Sequence, residues 1–355
     1  MDKQNALIEV RDLHTHFFLT EGVVKAVDGV SFTIERGKTL GVVGESGCGK
    51  SVTARSILRT VRPPGRIVSG QILYHRQVSN SQGNGQIETI DLAQLHPQGS
   101  EIRNIRGNEI AMIFQEPMSS LSPVHTIGDQ IIEAIMLHRK VNKREARDLA
   151  IEILGRVGMP QPSSMVDRYR HQLSGGMRQR AMIALALSCQ PSLLIADEPT
   201  TALDVTTQAQ ILELMQDLQE EFGMAIMFIT HDLGVIAEMA DNVVVMYLGQ
   251  EVEQADVDTI FYNPKHPYTR ALLRSIPRVD QQVEALETIR GMVPDPYHIP
   301  TGCRFHPRCP HYIPAKCDPP PLIEVSPGHI ARCARVYEIE DASEDQVTEA
   351  ADYQR

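Results

Sequence analysis

No stretch of this 355-residue chain approaches the roughly 20 uninterrupted apolar residues that a membrane-spanning helix requires. Its apolar segments, such as Ala181 to Cys189 and Ala225 to Ile229, are short and flanked by polar groups. The opening residues MDKQNALIEV lack an apolar core behind a basic segment and lack a small-residue cleavage site. Secretion is therefore not expected, and cytoplasmic residence is. A basic excess is missing too: 34 Lys+Arg against 45 Asp+Glu give a net charge of −11, which argues against broad nucleic-acid binding, because phosphate backbones attract basic surfaces. Part of that acidity is local. From Glu338 onward stand seven acids and one base, which reads as a solvated, disordered tail. What remains is long enough for one large α/β domain of about 250 residues and a smaller appendage.

Near-alternating apolar residues at Leu7 to Val10 and Ala26 to Ile34 predict half-buried strands, and Leu40 to Val43 predicts a buried one that runs straight into Gly44. Residues 75–100 are polar and rich in Gly, Asn, Ser and Gln, the texture of a surface excursion. From Ile127 to Val157 the apolar spacing suits amphipathic helices, a helical insert in an otherwise α/β domain. Strand patterns return at Leu193 to Ala196 and Ala225 to Thr230, around a helical segment at Gln208 to Phe222, and this βαβ rhythm predicts a parallel sheet. After about Tyr262 proline recurs and four cysteines appear, marking a second, loop-rich module.

Gly44-Glu45-Ser46-Gly47-Cys48-Gly49-Lys50-Ser51 fits G-x-x-x-x-G-K-[ST] between a strand and a helix-compatible run. Its glycines let successive N–H groups curl toward phosphate oxygens, and the following helix adds its positive end. Lys50 is expected to bridge the β- and γ-phosphates of ATP, and Ser51 to hold Mg²⁺. The strand Leu193 to Asp197 ends in a carboxylate where a second Mg²⁺-organising acid should stand, and Glu198, next to it, is the expected base or water-orienting group.

Those two elements occur in many P-loop proteins, whereas Leu173-Ser174-Gly175-Gly176-Met177-Arg178-Gln179-Arg180 does not. With it the chain resembles the ABC ATPase family over roughly residues 7–260. The resemblance implies a P-loop ABC ATPase core with a mostly parallel sheet and a helical subdomain at about 116–180 within residues 1–261; the Pro/Cys-rich module read from composition then takes 262–337 and the acidic tail 338–355. Ser174, Gly175 and Gly176 would open a helix whose N–H groups meet the γ-phosphate held by a second subunit. By the same resemblance Gln115 is the glutamine that touches Mg²⁺ or the attacking water, Asp204 reaches across the dimer, and His231 is the switch histidine that binds the γ-phosphate and holds the water near Glu198. Phe17 and Phe18 are candidates to stack on adenine, and equally candidates for the core.

The run Glu116-Pro117-Met118-Ser119-Ser120-Leu121-Ser122-Pro123 and the stretch His266-Pro267-Tyr268-Thr269 to Ile276-Pro277 are similar to segments of the oligopeptide/dipeptide importer subfamily. Ser122 departs from the asparagine common there. That likeness implies an ATP-hydrolysing subunit at the cytoplasmic face of the membrane, working with a second, different ATPase subunit, two permease subunits and an extracytoplasmic solute-binding protein. Importers of nickel complexes, opines or oligosaccharides, and a non-transport regulator or redox sensor, are the alternatives.

Six cysteines divide into Cys48 and Cys189, which read as structural, and Cys303, Cys309, Cys317 and Cys333, spaced C-x5-C-x7-C-x15-C. A reducing cytoplasm disfavours disulfides, so four thiols in a segment poor in apolar residues suggest a metal staple. The C-x₂₋₄-C knuckles usual for zinc are absent, and iron–sulfur clusters tolerate wider loops. Gly302 to Pro310 also resembles a segment of peptide-importer ATPases, some of which carry a [4Fe–4S] cluster there. The cluster is the expectation, with zinc or simply packed thiols as alternatives.

Overall fold

The computed structural model describes residues 5–79, 85–115, 121–201, 203–275 and 289–339. Residues Glu116 to Ser120, Ala202, the Ile276-Pro277 end of the HPYT stretch and the acidic tail from residue 340 lie outside them.

Two sheets carry the molecule. Strands β1 (Ala6–Leu19), β2 (Gly22–Glu35), β4 (Gly65–Ser79) and β5 (Gly85–Asp91) form an antiparallel sheet in the order β2-β1-β4-β5. The second sheet has the order β11-β12-β10-β9-β3-β8-β7-β6. Its strands are β3 (Thr39–Val43), β6 (Ile110–Ile113), β7 (Leu193–Asp197), β8 (Ala225–Ile229), β9 (Asn242–Tyr247), β10 (Gln250–Asp256), β11 (Ile323–Ser326) and β12 (His329–Ala331). It is parallel among β9, β3, β8, β7 and β6 and antiparallel from β9 through β10 and β12 to β11.

Every residue of β3, β7 and β8 is buried, which explains why these segments read as continuous apolar runs rather than alternating ones. Alternate side chains serve different cores. Leu40, Val42, Leu193, Ile195, Met227 and Ile229 pack toward the antiparallel sheet, while Leu194, Ala196, Ile226 and Phe228 pack toward the helices. The ends of these strands, Asp197 on β7 among them, are thereby held rigidly.

The helical insert consists mainly of Ile127–His138, Lys143–Arg156 and Gly175–Leu187, which share one core through Ile131, Ile135, Ala150 and Leu154. The polar stretch expected to be a surface excursion is partly a hairpin, since His75 to Ser79 pair with Gly85 to Thr89. Main-chain pairing at a sheet edge needs no apolar side chains. Polar partners do the anchoring there: His75 bonds Glu9 and Thr89, and Arg76 grips Glu109 with two bonds.

Candidate active site

Strand β3 delivers the chain into the loop Gly44 to Gly49, and the helix Lys50–Ile57 leaves it. Gly44 has φ +147°, and a Cβ there would lie 2.2 Å from the Met246 carbonyl oxygen, so the tight curl admits only glycine. Lys50 is buried, and its ammonium donates to the carbonyls of Gly44 at 2.7 Å and Glu45 at 3.2 Å. The Ser51 hydroxyl donates to Asp197 Oδ1 at 2.9 Å, which joins the loop to the end of β7. Burial pushes the Asp197 carboxyl up from the ordinary range.

Glu198 follows in a left-handed conformation, φ +49°, and three groups converge on its carboxylate. Gln115 Nε2 donates at 2.9 Å, the Thr201 hydroxyl at 3.0 Å, and His231 Nδ1 lies 3.4 Å from Oε1. Burial acts to raise the Glu198 pKa, and the bonds from Thr201, His231 and Gln115 outweigh it, so the carboxyl lies below its usual range. The group is an ionised acceptor near neutral pH. Lys50, Ser51, Asp197, Glu198, Gln115 and His231, up to 181 positions apart in sequence, are thus joined into one cluster by these bonds and by the peptide links Lys50–Ser51 and Asp197–Glu198.

Ser174, Gly175, Gly176 and Asp204 belong to a second group. Ser174 caps the helix Gly175–Leu187, accepting from Met177 N at 3.3 Å. Asp204 caps the helix Val205–Phe222 through Thr207. Gly176 packs so closely on Thr207 that a Cβ would lie 2.9 Å from its methyl. Among the described residues no hydrogen bond joins this group to the phosphate loop. Two orphan-donor helix starts, each able to receive an anion, are therefore present in separate places. Of the aromatic candidates, Phe18 is exposed with the Arg66 guanidinium 4.3 Å above its ring, and Phe17 is half-buried against Gly65.

Sequence reasoning did not find Thr201 as a partner of Glu198, nor the side chains behind the phosphate loop. Arg308 grips the Glu45 carboxylate with both terminal nitrogens, and the Tyr268 hydroxyl accepts from Glu45 N at 2.9 Å. Among the described residues, one group has metal-ligand spacing, His14, His16 and Asp28. Its carboxylate also takes Arg304 on the second oxygen and has Lys25 at 3.9 Å, so it is a tie between β1, β2 and the region of Cys303 rather than an open ligand set.

Cys303, Cys309, Cys317 and Cys333 line one cavity with Phe305 and Tyr312. None of the six cysteines forms a disulfide. Among the described residues no three of these four sulfurs lie within 4.8 Å of one another. A single zinc ion would need all four sulfurs about 3.8 Å apart, given Zn–S bonds of about 2.3 Å. A cubane cluster, whose ligands attach to four different irons, needs a wider set. Backbone N–H groups of His311 and Arg335 point at the sulfurs of Cys309 and Cys333, and burial pushes both thiols up to about 11.

Residues 27–201 match the family model described as ABC transporter, and residues 252–317 match that of the oligopeptide/dipeptide transporter C-terminal region. The chain is 49% identical over 343 residues to the oligopeptide transport ATP-binding protein AppD of Bacillus subtilis, covering 96% of this chain and 99% of that one. It is 46% identical to the dipeptide transport ATP-binding protein DppD of Escherichia coli, covering 95% and 98%. Among solved structures it is similar to the dimeric bacterial ABC transporter cassette MJ0796, with a TM-score of 0.59, 25% identity, and coverage of 71% of this chain and 99% of that one.

Proposed function

The chain belongs to the ABC transporter ATPase family, and from that premise we propose that it is the ATP-hydrolysing subunit that energises a di- or oligopeptide importer. The observation that carries the reading is the connected cluster from Lys50 through Ser51 and Asp197 to Glu198, Gln115 and His231. Lys50 would leave its loop carbonyls for the β- and γ-phosphates of ATP, and the backbone of Gly44 to Ser51 would cradle them. Ser51, Asp197 and Gln115 are hard oxygen donors of the kind Mg²⁺ takes, and the ion would neutralise phosphate charge. Glu198 would orient and polarise the attacking water, with His231 placed by their contact to reach both the water and the γ-phosphate.

Because Ser174, Gly175, Gly176 and Asp204 stand apart from the phosphate loop, they are assigned to the nucleotide of a second ATPase subunit, so that two ATP molecules are buried between two cassettes. The mate is proposed to be a different chain. Two permease subunits complete the motor at the cytoplasmic face of the membrane, and an extracytoplasmic binding protein supplies the solute. No described helix is long and apolar enough to cross a membrane. ATP shifts the permeases only through its preference for the closed dimer, and hydrolysis resets it.

Residues 262–337 are proposed to form the module that holds a [4Fe–4S] cluster on Cys303, Cys309, Cys317 and Cys333. What supports a thiolate-bound group there is that the four cysteines line one cavity and that backbone N–H groups are aimed at two of their sulfurs. Its role would be structural or redox-sensing. Anaerobic purification with iron, sulfide and zinc analysis tests it: iron and sulfide are expected, and one equivalent of zinc with neither would overturn it. Reconstitution with the permeases tests transport. Dipeptides or oligopeptides with the binding protein should stimulate ATPase activity, whereas stimulation by a nickel complex or an oligosaccharide alone would move the substrate class.

A further inference from the structure

Glu45 is a phosphate-loop residue with every polar group engaged. Its carbonyl accepts from Lys50 at 3.2 Å, its N–H donates to the Tyr268 hydroxyl at 2.9 Å, and its carboxylate receives Arg308 at 2.6 and 3.1 Å. The two outside partners lie 223 and 263 positions away. Arg308 leaves none of its nitrogens idle: Nε donates to the Arg290 carbonyl at 3.1 Å, and one terminal nitrogen also meets the Tyr247 hydroxyl at 3.4 Å. Its side chain is only 3% exposed. Tyr268, fully buried, packs on Tyr247 and Phe305 with ring centroids 4.6 and 5.4 Å apart. Phe305 stands between Cys303 and Cys309 and lines the cysteine cavity.

We propose that Arg308 and Tyr268 are positioning residues of the ATP site, which hold the phosphate loop through Glu45 so that the cysteine module sets nucleotide affinity in cis. The inference rests on the ATP-site reading above. A carboxylate at the mouth of an anion-binding loop repels a triphosphate, and the bidentate arginine both neutralises that charge and fixes its direction. The loop must also keep one shape for its N–H groups to converge, and Glu45 is fastened from the module at three atoms, its N and both carboxylate oxygens, so motion of the 303–309 segment reaches the loop through short, rigid contacts. Cys309 is the residue after Arg308. Whatever occupies or oxidises the cysteine cavity therefore acts on the part of the chain that carries the arginine.

The test is ATP titration calorimetry on the full chain, with steady-state ATPase measured on the reconstituted complex. Lys50→Ala serves as the control that the titration reads the phosphate loop. Arg308→Gln is expected to weaken ATP binding about tenfold, the scale of a lost charge-assisted pair, with Arg308→Lys intermediate because it keeps charge but not the fork. The apparent KM should rise in step while kcat at saturating ATP stays within about twofold. Adding Glu45→Gln to Arg308→Gln should cost nothing further, since the two act as one unit. Tyr268→Phe removes a single oxygen and keeps the buried ring, so it stands in where Arg308→Gln fails to fold, and it should weaken ATP binding several-fold. Unchanged affinity in Tyr268→Phe and in a folded Arg308→Gln, additive effects of Glu45→Gln and Arg308→Gln, or a loss confined to kcat would each overturn the proposal. A wild-type chain that binds no ATP would overturn the underlying site reading instead.

Discussion

At Glu198 the backbone adopts φ +49°, a conformation that costs a non-glycine residue energy and persists where surrounding structure enforces it. Here the enforcement is visible. Its N–H donates to the Ile229 carbonyl at 2.9 Å, and Gln115, Thr201 and His231 fix the side chain. Glu198→Gln should retain ATP binding and lower turnover by about two orders of magnitude, the scale of an essential base. Near-normal ATPase activity in that variant, with the mate's site also disabled, would remove Glu198 from the role. Thr201→Ala should act more weakly, lowering turnover by about tenfold or less, because it deletes one bond to the carboxylate and leaves the others; turnover matching Glu198→Gln would instead give Thr201 a direct role. That Lys50, Ser51, Asp197, Glu198 and His231 would be brought together was readable because each stands at or shortly after the end of a buried strand of one parallel sheet. Arg308 and Tyr268 were not, since their bond to Glu45 spans most of the chain and no local pattern announces it.

The apolar spacing announced helices between Ile127 and Val157 but not where they end, which side-chain caps decide. The pattern from Ile127 to Val157 predicted helices, and the structure breaks it into Ile127–His138 and Lys143–Arg156 with a reciprocal cap at each start. At the second, the Asn142 side chain accepts from Arg144 N and Glu145 N, both at 3.0 Å, and the Glu145 carboxylate accepts from Asn142 N at 3.1 Å. Asn142→Ala should cost about 1 kcal/mol and lower the thermal midpoint by about 2 °C, leaving ATP affinity unmoved. An unchanged midpoint would show that the tertiary packing of Ala146, Ala150 and Leu154 alone sets this helix. The β4–β5 hairpin shows the opposite case: its polar sequence hides strands because their pairing is with main chain and their anchors, Glu9 and Glu109, come from elsewhere.

Over the whole molecule the parallel centre of the large sheet was readable from its apolar runs, but its antiparallel extension was not, because β11 and β12 are four and three residues long. Their junction with β10 is charged and buried. Glu251, close to fully buried, bonds Arg332 at 2.8 Å and leaves one oxygen unpartnered; burial raises its pKa to about 7. The folded state then holds more protons than the unfolded state between about pH 4.5 and 7, so this group's contribution to stability falls as pH rises through that window, by about 3 kcal/mol. Glu251→Gln should abolish that part of the slope in chemical denaturation measured at pH 5 and pH 8, and an unchanged difference between the two pH values would assign the slope elsewhere. Beside it, Glu253 is wholly buried and accepts from Lys265 N, His266 N and His329. The pairing of β10 with β12 has one more consequence. A chain cut after Tyr262 would carry an open sheet margin with free N–H and C=O groups and two carboxylates, Glu251 and Glu253, stripped of the partners named above, a template for a second molecule. Such a fragment should self-associate as its concentration rises in light scattering, so shortening this motor would yield an aggregating polypeptide instead of a minimal one.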